Sequence, residues 1–156
     1  MAGFFDRLIS HHQKNKSRAA SFDFFSACMA AAALMTLADG KADKRETASL
    51  KALFRTLEAF STYSRRQGME VYEGFLAALE KDADHGRETA HAAIAGVKDD
   101  PEWAALLVAV CATLGAADGR VADEETAVID DICRQLEIDP AAVKAYEVDF
   151  YDELHE

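Results

Sequence analysis

Apolar side chains recur along most of this chain at the three- and four-residue spacing of α-helices. The widest apolar stretch covers residues 21–37 and predicts a long central helix. Its apolar positions are Phe24, Phe25, Cys28, Met29, Ala32 and Met35. Ser21 is a suitable N-cap, and Asp39-Gly40 ends the helix because glycine readily adopts the left-handed conformation of a C-terminal turn.

A second long apolar helix is predicted over residues 101–116. Asp100-Pro101 marks its start. Aspartate caps a helix, and the N–H that proline lacks would have no partner in the first helical turn. No segment alternates as a strand does, so the chain is predicted to be all-α. Further helices are expected over residues 3–13, 43–59, 69–81, 85–97, 123–136 and 140–151.

Two details of this pattern can be tested directly. Residues 81–84 are expected to form a loop between two of the shorter helices. On the helix over 85–97 we expect an inward face at Thr89, Ala92, Ala93 and Ile94.

One short motif occurs twice. Asp-Gly begins at Asp39 and again at Asp118, 79 residues later, and each aspartate is followed after seven positions by a glutamate, Glu46 or Glu125. An apolar helix precedes and follows each copy. We therefore predict a compact pseudo-twofold domain of about 7–8 helices, built from two helix-loop-helix repeats.

Composition adds bounds to this picture. At 156 residues, with 50% hydrophobic and 29% charged side chains, the chain has the size and balance of one soluble domain. No apolar run approaches the roughly 20 residues of a membrane span, and no secretory signal is visible. The three cysteines sit in apolar helical patterns, which favours reduced core thiols in a cytoplasmic protein.

The net charge of −11 argues against general nucleic-acid binding, and it is unevenly distributed. Residues 1–20 carry four basic and one acidic side chain, whereas residues 99–156 carry three basic and sixteen acidic ones. We expect residues 1–18 to form an amphipathic arm with a basic linker, and residues 19–156 to form the helical domain. The acidic end is interpreted as a solvated surface or as a face that attracts cations.

The spacing Asp-Gly-x5-Glu matches the second half of a calcium-binding EF-hand loop. The first half is missing, since the first two ligand positions would be Met35 and Leu37 in the first copy. One loop alone should therefore not hold an ion.

Two facing loops could combine Asp39, Glu46, Asp118 and Glu125 into one site for calcium, magnesium or manganese, with Asp43 and Asp123 as further candidates. In the alternative interpretation the aspartates bond loop amides and the glutamates serve helix N-termini.

The doubled Ala-Asp-Gly motif with its glutamates carries a family resemblance. The segments Val97-Lys98-Asp99-Asp100-Pro101-Glu102 and Ile132-Cys133-Arg134-x-Leu136 add to it. The chain resembles the TerB family of bacterial tellurite-resistance proteins over roughly residues 3–145.

The resemblance implies a helical domain without known catalytic activity, in a cytoplasmic stress-response system. Its partners would be tellurite-resistance or membrane-associated stress proteins. It also implies a metal ion held by Asp39, Glu46, Asp118 and Glu125. We therefore predict a non-enzymatic module that acts through cation-dependent protein interaction, and that is neither nucleic-acid-binding nor an integral membrane protein. The alternative is a metal-dependent hydrolase that uses the same acidic loops.

Overall fold

The computed structural model describes residues 18–38, 65–115 and 123–139. Every regular element in these ranges is an α-helix. The five helices are α1 (Arg18–Ala38), α2 (Arg65–Lys81), α3 (Ala83–Ala95), α4 (Pro101–Gly115) and α5 (Asp123–Leu136). They confirm the all-α prediction and the existence of both long helices. The predicted N-cap at Ser21 is wrong, because α1 begins three residues earlier, at Arg18. The helices predicted over 3–13, 43–59 and 140–151 lie outside the described residues.

Helix α1 is the centre of the described fold. Every residue from Ala27 to Met35 is buried, so this stretch is covered on all sides. α1 contacts each of α2, α3, α4 and α5. A helix that is apolar around its whole circumference must be surrounded by other elements, as the composition of residues 21–37 predicts.

Helices α2 and α3 form a hairpin with a single residue, Asp82, between them. The predicted loop over residues 81–84 is therefore wrong: Lys81 ends α2 and Ala83 already begins α3. The Asp82 side chain caps α3 by accepting the backbone N–H of His85 at 3.2 Å. This connection is short enough to hold the two helices tightly together.

The inward face of α3 also differs from the prediction. Thr89 and Ala92 are exposed, and the buried positions are Gly86, Ala90 and Ile94. Successive members of this set lie four residues apart and thus form one inclined row on the same side of the helix. Gly86 and Ala90 face inward because α3 packs close to its neighbours and only small side chains fit there. The hydrophobic pattern alone does not show which small or weakly polar positions of α3 are buried.

Helix α4 begins as the sequence predicts. The Asp100 carboxylate accepts the backbone N–H of Trp103 at 3.1 Å, and Pro101 occupies the first helical position. All residues from Trp103 to Cys111 are buried. None of the five helices in the described ranges combines the length and apolarity that crossing a bilayer requires.

Helix α5 is attached to α3 by a two-bond contact between His91 and Gln135. The Gln135 amide nitrogen donates to the His91 carbonyl oxygen at 2.7 Å, and the Gln135 amide oxygen lies 2.6 Å from His91 Nδ1. Because that oxygen can only accept, Nδ1 carries the hydrogen. The bonds fix the position of the C-terminal end of α5 on the middle of α3.

Candidate functional site

Two of the six predicted site carboxylates lie in the described residues. These are Glu125 and Asp123, both in the first turn of α5. Asp39, Asp43, Glu46 and Asp118 lie outside the described residues. The convergence of the two acidic loops therefore stays a prediction, and the described structure supplies the surroundings in which it would occur.

Glu125 is the buried carboxylate of this region. It is only 3% exposed, and it is the one charged side chain that is buried among the described residues. Burying a carboxylate is costly unless charge or hydrogen bonds compensate it. Its place in the first turn of a helix provides part of the compensation, since the helix N-terminus carries partial positive charge. Glu125, which is a predicted metal ligand, is thus shielded from bulk water.

Its acidic neighbours behave differently. Asp123 and Glu124 are both exposed, although they share the same helical turn. Residues two apart on a helix do not face each other, so Asp123 and Glu125 point to different sides of α5. Asp123 stays a secondary candidate that would have to approach an ion from another direction.

Helices α1 and α4 lead toward the two Asp-Gly motifs in the same general direction. Phe24 stacks on Trp103 with ring centroids 4.3 Å apart and planes inclined by 29°. One turn beyond Phe24 on α1, Cys28 lies near Cys111 on α4, close enough for the Cys111 thiol to raise the pKa of Cys28. Since both contacts advance along both helices, the chain leaves α1 and α4 at the same end of the helix pair.

The three cysteines are reduced and buried, as predicted. Burial, followed by the nearby Cys111 thiol, raises the pKa of Cys28 well above its usual range. Burial and Cys133 raise the pKa of Cys111 to about 12. A thiol must ionise to act as a nucleophile or to bind a soft metal. Cys28 and Cys111 therefore behave as apolar core groups at neutral pH.

The described residues include two histidines, His85 and His91. Asp84, the residue before His85, forms an exposed ion pair with Arg87 at 2.7 Å. His91 is held by Gln135. Within the described part of the chain, no three His, Cys, Asp or Glu side chains group closely enough to hold a metal ion.

A family model described as "Tellurite resistance protein TerB" matches residues 25–147. The chain belongs to the TerB family. No curated protein and no solved structure matches the chain. The match includes all five described helices except the start of α1, and it includes both Asp-Gly motifs. The TerB resemblance that these motifs carry is thereby confirmed.

One contact at the C-terminal end of α1 was not predicted for this TerB-family chain. Thr36 donates its hydroxyl hydrogen to the Ala32 carbonyl oxygen at 2.9 Å, and its oxygen lies 2.8 Å from the Tyr72 hydroxyl. Because the Thr36 hydrogen is already used, Tyr72 donates to Thr36. This bond ties α2 to the last turn of α1, three residues before Asp39. A lone tyrosine in an amphipathic helix gives no sequence signal of such a partner.

Proposed function

We propose that this TerB-family protein is a non-enzymatic interaction module of a tellurite-resistance system, and that a divalent cation controls its interactions. The cation would be calcium, magnesium or manganese, held by Asp39, Glu46, Asp118 and Glu125. The partners would be other tellurite-resistance or membrane-associated stress proteins, in the cytoplasm. Family membership supports the system, and the burial of Glu125 supports the cation site.

The proposal includes a finer architecture of two helix-loop-helix repeats and about 7–8 helices. One contact supports the repeat. Trp103 follows Phe24 by 79 residues, the same offset that separates Asp39 from Asp118, and these two equivalent residues stack on each other. Contact between equivalent residues is what a pseudo-twofold axis produces, because residues on such an axis meet their own counterparts.

The buried Glu125 carries the proposal. Three consecutive acidic residues begin α5, and the one that is buried is the one with the repeat spacing from an Asp-Gly motif. Hard divalent cations bind carboxylate oxygens, so this donor type fits the proposed ions. The shared direction of α1 and α4 would bring the second loop to the same end.

The decisive experiment measures cation-dependent thermal stability of the full chain. Calcium, magnesium and manganese are added separately to wild type, Glu125→Gln, Asp39→Asn and Glu124→Gln. A bound ion stabilises the folded state by about 2.7 kcal/mol at a hundredfold excess over its Kd. We expect the melting temperature to rise for wild type and for Glu124→Gln, whose side chain is exposed.

Glu125→Gln and Asp39→Asn should lose this rise, because each removes one ligand charge from a different loop. If no ion shifts the wild-type melting temperature, the two motifs are structural turns and the cation proposal fails. A growth assay on tellurite with wild type and the same three variants then separates a resistance role from cation binding. Phosphate-ester hydrolysis that requires the bound ion would instead favour the hydrolase alternative.

A further inference from the structure

The Tyr72–Thr36 hydrogen bond joins the two flanks of the chain segment that carries the first Asp-Gly motif. The two hydroxyl oxygens lie 2.8 Å apart and are separated by 36 positions of sequence. Thr36 is in the last turn of α1, three residues before Asp39, whereas Tyr72 is near the middle of α2. The whole motif, from Asp39 to Glu46, therefore lies between the two bonded residues in sequence.

The surroundings of this bond shelter it from water. Tyr72 is buried, and Thr36 is half-buried. Thr36 also donates to the Ala32 carbonyl oxygen at 2.9 Å, so its hydroxyl is held by one bond within α1 and by one bond to α2. A hydrogen bond in such surroundings is electrostatically stronger than one in water. The last turn of α1 is thus fixed to α2.

Packing alone does not account for the hydroxyl group of Tyr72. The other large side chains of α2 that pack against the core are all apolar, namely Met69, Val71, Phe75, Leu76 and Leu79. A phenylalanine at position 72 would fill the same space. The hydroxyl is the part of the Tyr72 side chain that reaches the end of α1.

The end of α1 is where the chain enters the first motif. The last turn of a helix frays most easily, since its carbonyl groups have no partner within the helix. α1 ends at Ala38, so Asp39 is the next residue along the chain. A last turn that is held in place leaves Asp39 less conformational freedom than a frayed one would.

We infer that Tyr72 is a positioning residue for the first acidic loop, and that it acts through Thr36. The inference rests on the proposed function, in which this loop supplies Asp39 and Glu46 to the cation site. In this role Tyr72 does not bind the ion; it raises the fraction of molecules whose first loop is arranged to bind one. The apparent affinity for the ion falls in proportion to that fraction.

Amide hydrogen exchange of the metal-free full chain tests the positioning by itself. The exchange rates of the Leu37 and Ala38 amides, measured by NMR, report the opening of the last turn of α1. We expect Tyr72→Phe and Thr36→Val each to raise these rates about three- to tenfold. The double variant should raise them no further, because both changes remove the same bond. Thr36→Ser keeps the hydroxyl and should keep the wild-type rates.

Two control variants separate positioning from a general loss of stability. Thr89 donates to the His85 carbonyl oxygen at 3.0 Å, the same kind of bond within a helix that Thr36 makes, but on the exposed face of α3. Thr89→Val therefore removes a matched hydroxyl, and Ile94→Val removes one methyl group from the core. Neither should change the two exchange rates, because the end of α1 exchanges through local opening.

Calorimetric titration of the same variants tests the consequence for ion binding. Calcium, magnesium and manganese are each titrated into the metal-free protein. Tyr72→Phe and Thr36→Val should raise the Kd of the bound ion about three- to tenfold. Thr36→Ser and the two controls should bind the ion as wild type does.

The two measurements distinguish failure of this inference from failure of the proposed function. Unchanged exchange rates in Tyr72→Phe, or an equal increase in Ile94→Val, would overturn the positioning role. An unchanged Kd in Tyr72→Phe, with a wild type that binds the ion, would overturn it as well. A wild type that binds no ion would refute the proposed function, and the exchange rates would still decide whether Tyr72 holds the end of α1.

Discussion

Gly86 on α3 lies directly against the backbone of Leu79 on α2, and a Cβ added to Gly86 would stand 2.5 Å from the Leu79 Cα. The same added carbon would be 2.8 Å from the carbonyl carbon of Ala78. Backbone atoms cannot rotate away as a side chain can. The absence of a side chain at residue 86 therefore sets how closely the two helices of the hairpin approach.

Gly86→Ala should destabilise the protein by about 1–3 kcal/mol, because the hairpin must open to admit a methyl group. The comparison is Gly74→Ala on α2, where the added Cβ meets nothing within 4 Å. That change should stabilise by about 0.5–1 kcal/mol, since alanine is the better helix former. Urea denaturation of both variants measures the two effects, and equal signs would contradict this view of the hairpin.

The Tyr72–Thr36 hydrogen bond should be worth about 0.5–1.5 kcal/mol. Tyr72 makes other interactions, so the single variant Tyr72→Phe does not isolate this bond. A double-mutant cycle with Tyr72→Phe and Thr36→Val does so. We expect a coupling energy in the stated range, measured by chemical denaturation. Thr36→Ser keeps the hydroxyl and should retain the coupling; strictly additive effects would show that the bond contributes nothing.

Glu137→Gly should stabilise the protein. Glu137 has φ of 56°, the left-handed region, and it follows the last residue of α5. The Ile138 N–H donates to the Cys133 carbonyl oxygen at 3.0 Å and the Glu137 N–H to that of Arg134 at 3.2 Å, the two bonds of a Schellman ending. Glycine adopts this conformation without the cost of about 1 kcal/mol that a side chain brings.

The control for this prediction is Glu137→Ala. It removes the same charge but keeps the Cβ, so it should not gain the conformational stabilisation. If both variants were stabilised equally in thermal denaturation, repulsion among the neighbouring carboxylates would be the cause, and backbone strain would not.

Stability should fall at alkaline pH because of the core thiols. Burial holds the pKa of Cys111 at about 12 in the folded protein, against 9.0 for an ordinary thiol. The unfolded chain then releases a proton above pH 9 that the folded chain keeps. The free energy of unfolding contributed by this thiol is therefore fully present below pH 9, and it is lost at about 1.4 kcal/mol per pH unit between pH 9 and 12.

The measurement is urea denaturation at several pH values for wild type and for Cys111→Ala. The variant should be less stable at pH 7, where only the lost packing matters, and its stability should decline less steeply above pH 9. Parallel curves for the two proteins would show that Cys111 ionises as easily in the folded state as in the unfolded one.

Features that depend on many consecutive side chains could be predicted from the sequence. The central helix follows from an apolar stretch too wide for one face, and the start of α4 follows from Asp100-Pro101. The single-residue link at Asp82 could not be predicted, because it depends on one pair, Gly86 and Leu79, whose closeness is a property of the folded hairpin. The exposure of Thr89 and Ala92 has the same origin. The short distance between α3 and its neighbours admits only the small residues Gly86 and Ala90 on the buried face.

The candidate site also has one feature that the sequence could predict and others that it could not. Three acidic residues begin α5, and no local rule tells them apart, because all three suit a helix N-terminus. The repeat spacing singled out Glu125, and Glu125 is the one that is buried. The Tyr72–Thr36 bond gave no comparable signal, because it joins two residues 36 positions apart whose proximity arises only in the tertiary structure.

The burial of residues 27–35 of α1 has a consequence for the synthesis of the protein. α1 ends at Ala38, whereas α4, which covers one of its sides, ends at Gly115. At about 5–20 residues per second, a ribosome makes these two points several seconds apart. During that interval the apolar segment lacks complete coverage by α4 and α5, and until Ala95 has been made it lacks the complete α2–α3 hairpin as well. The nascent chain must therefore depend on chaperones, or on the early α2–α3 hairpin, to avoid aggregation.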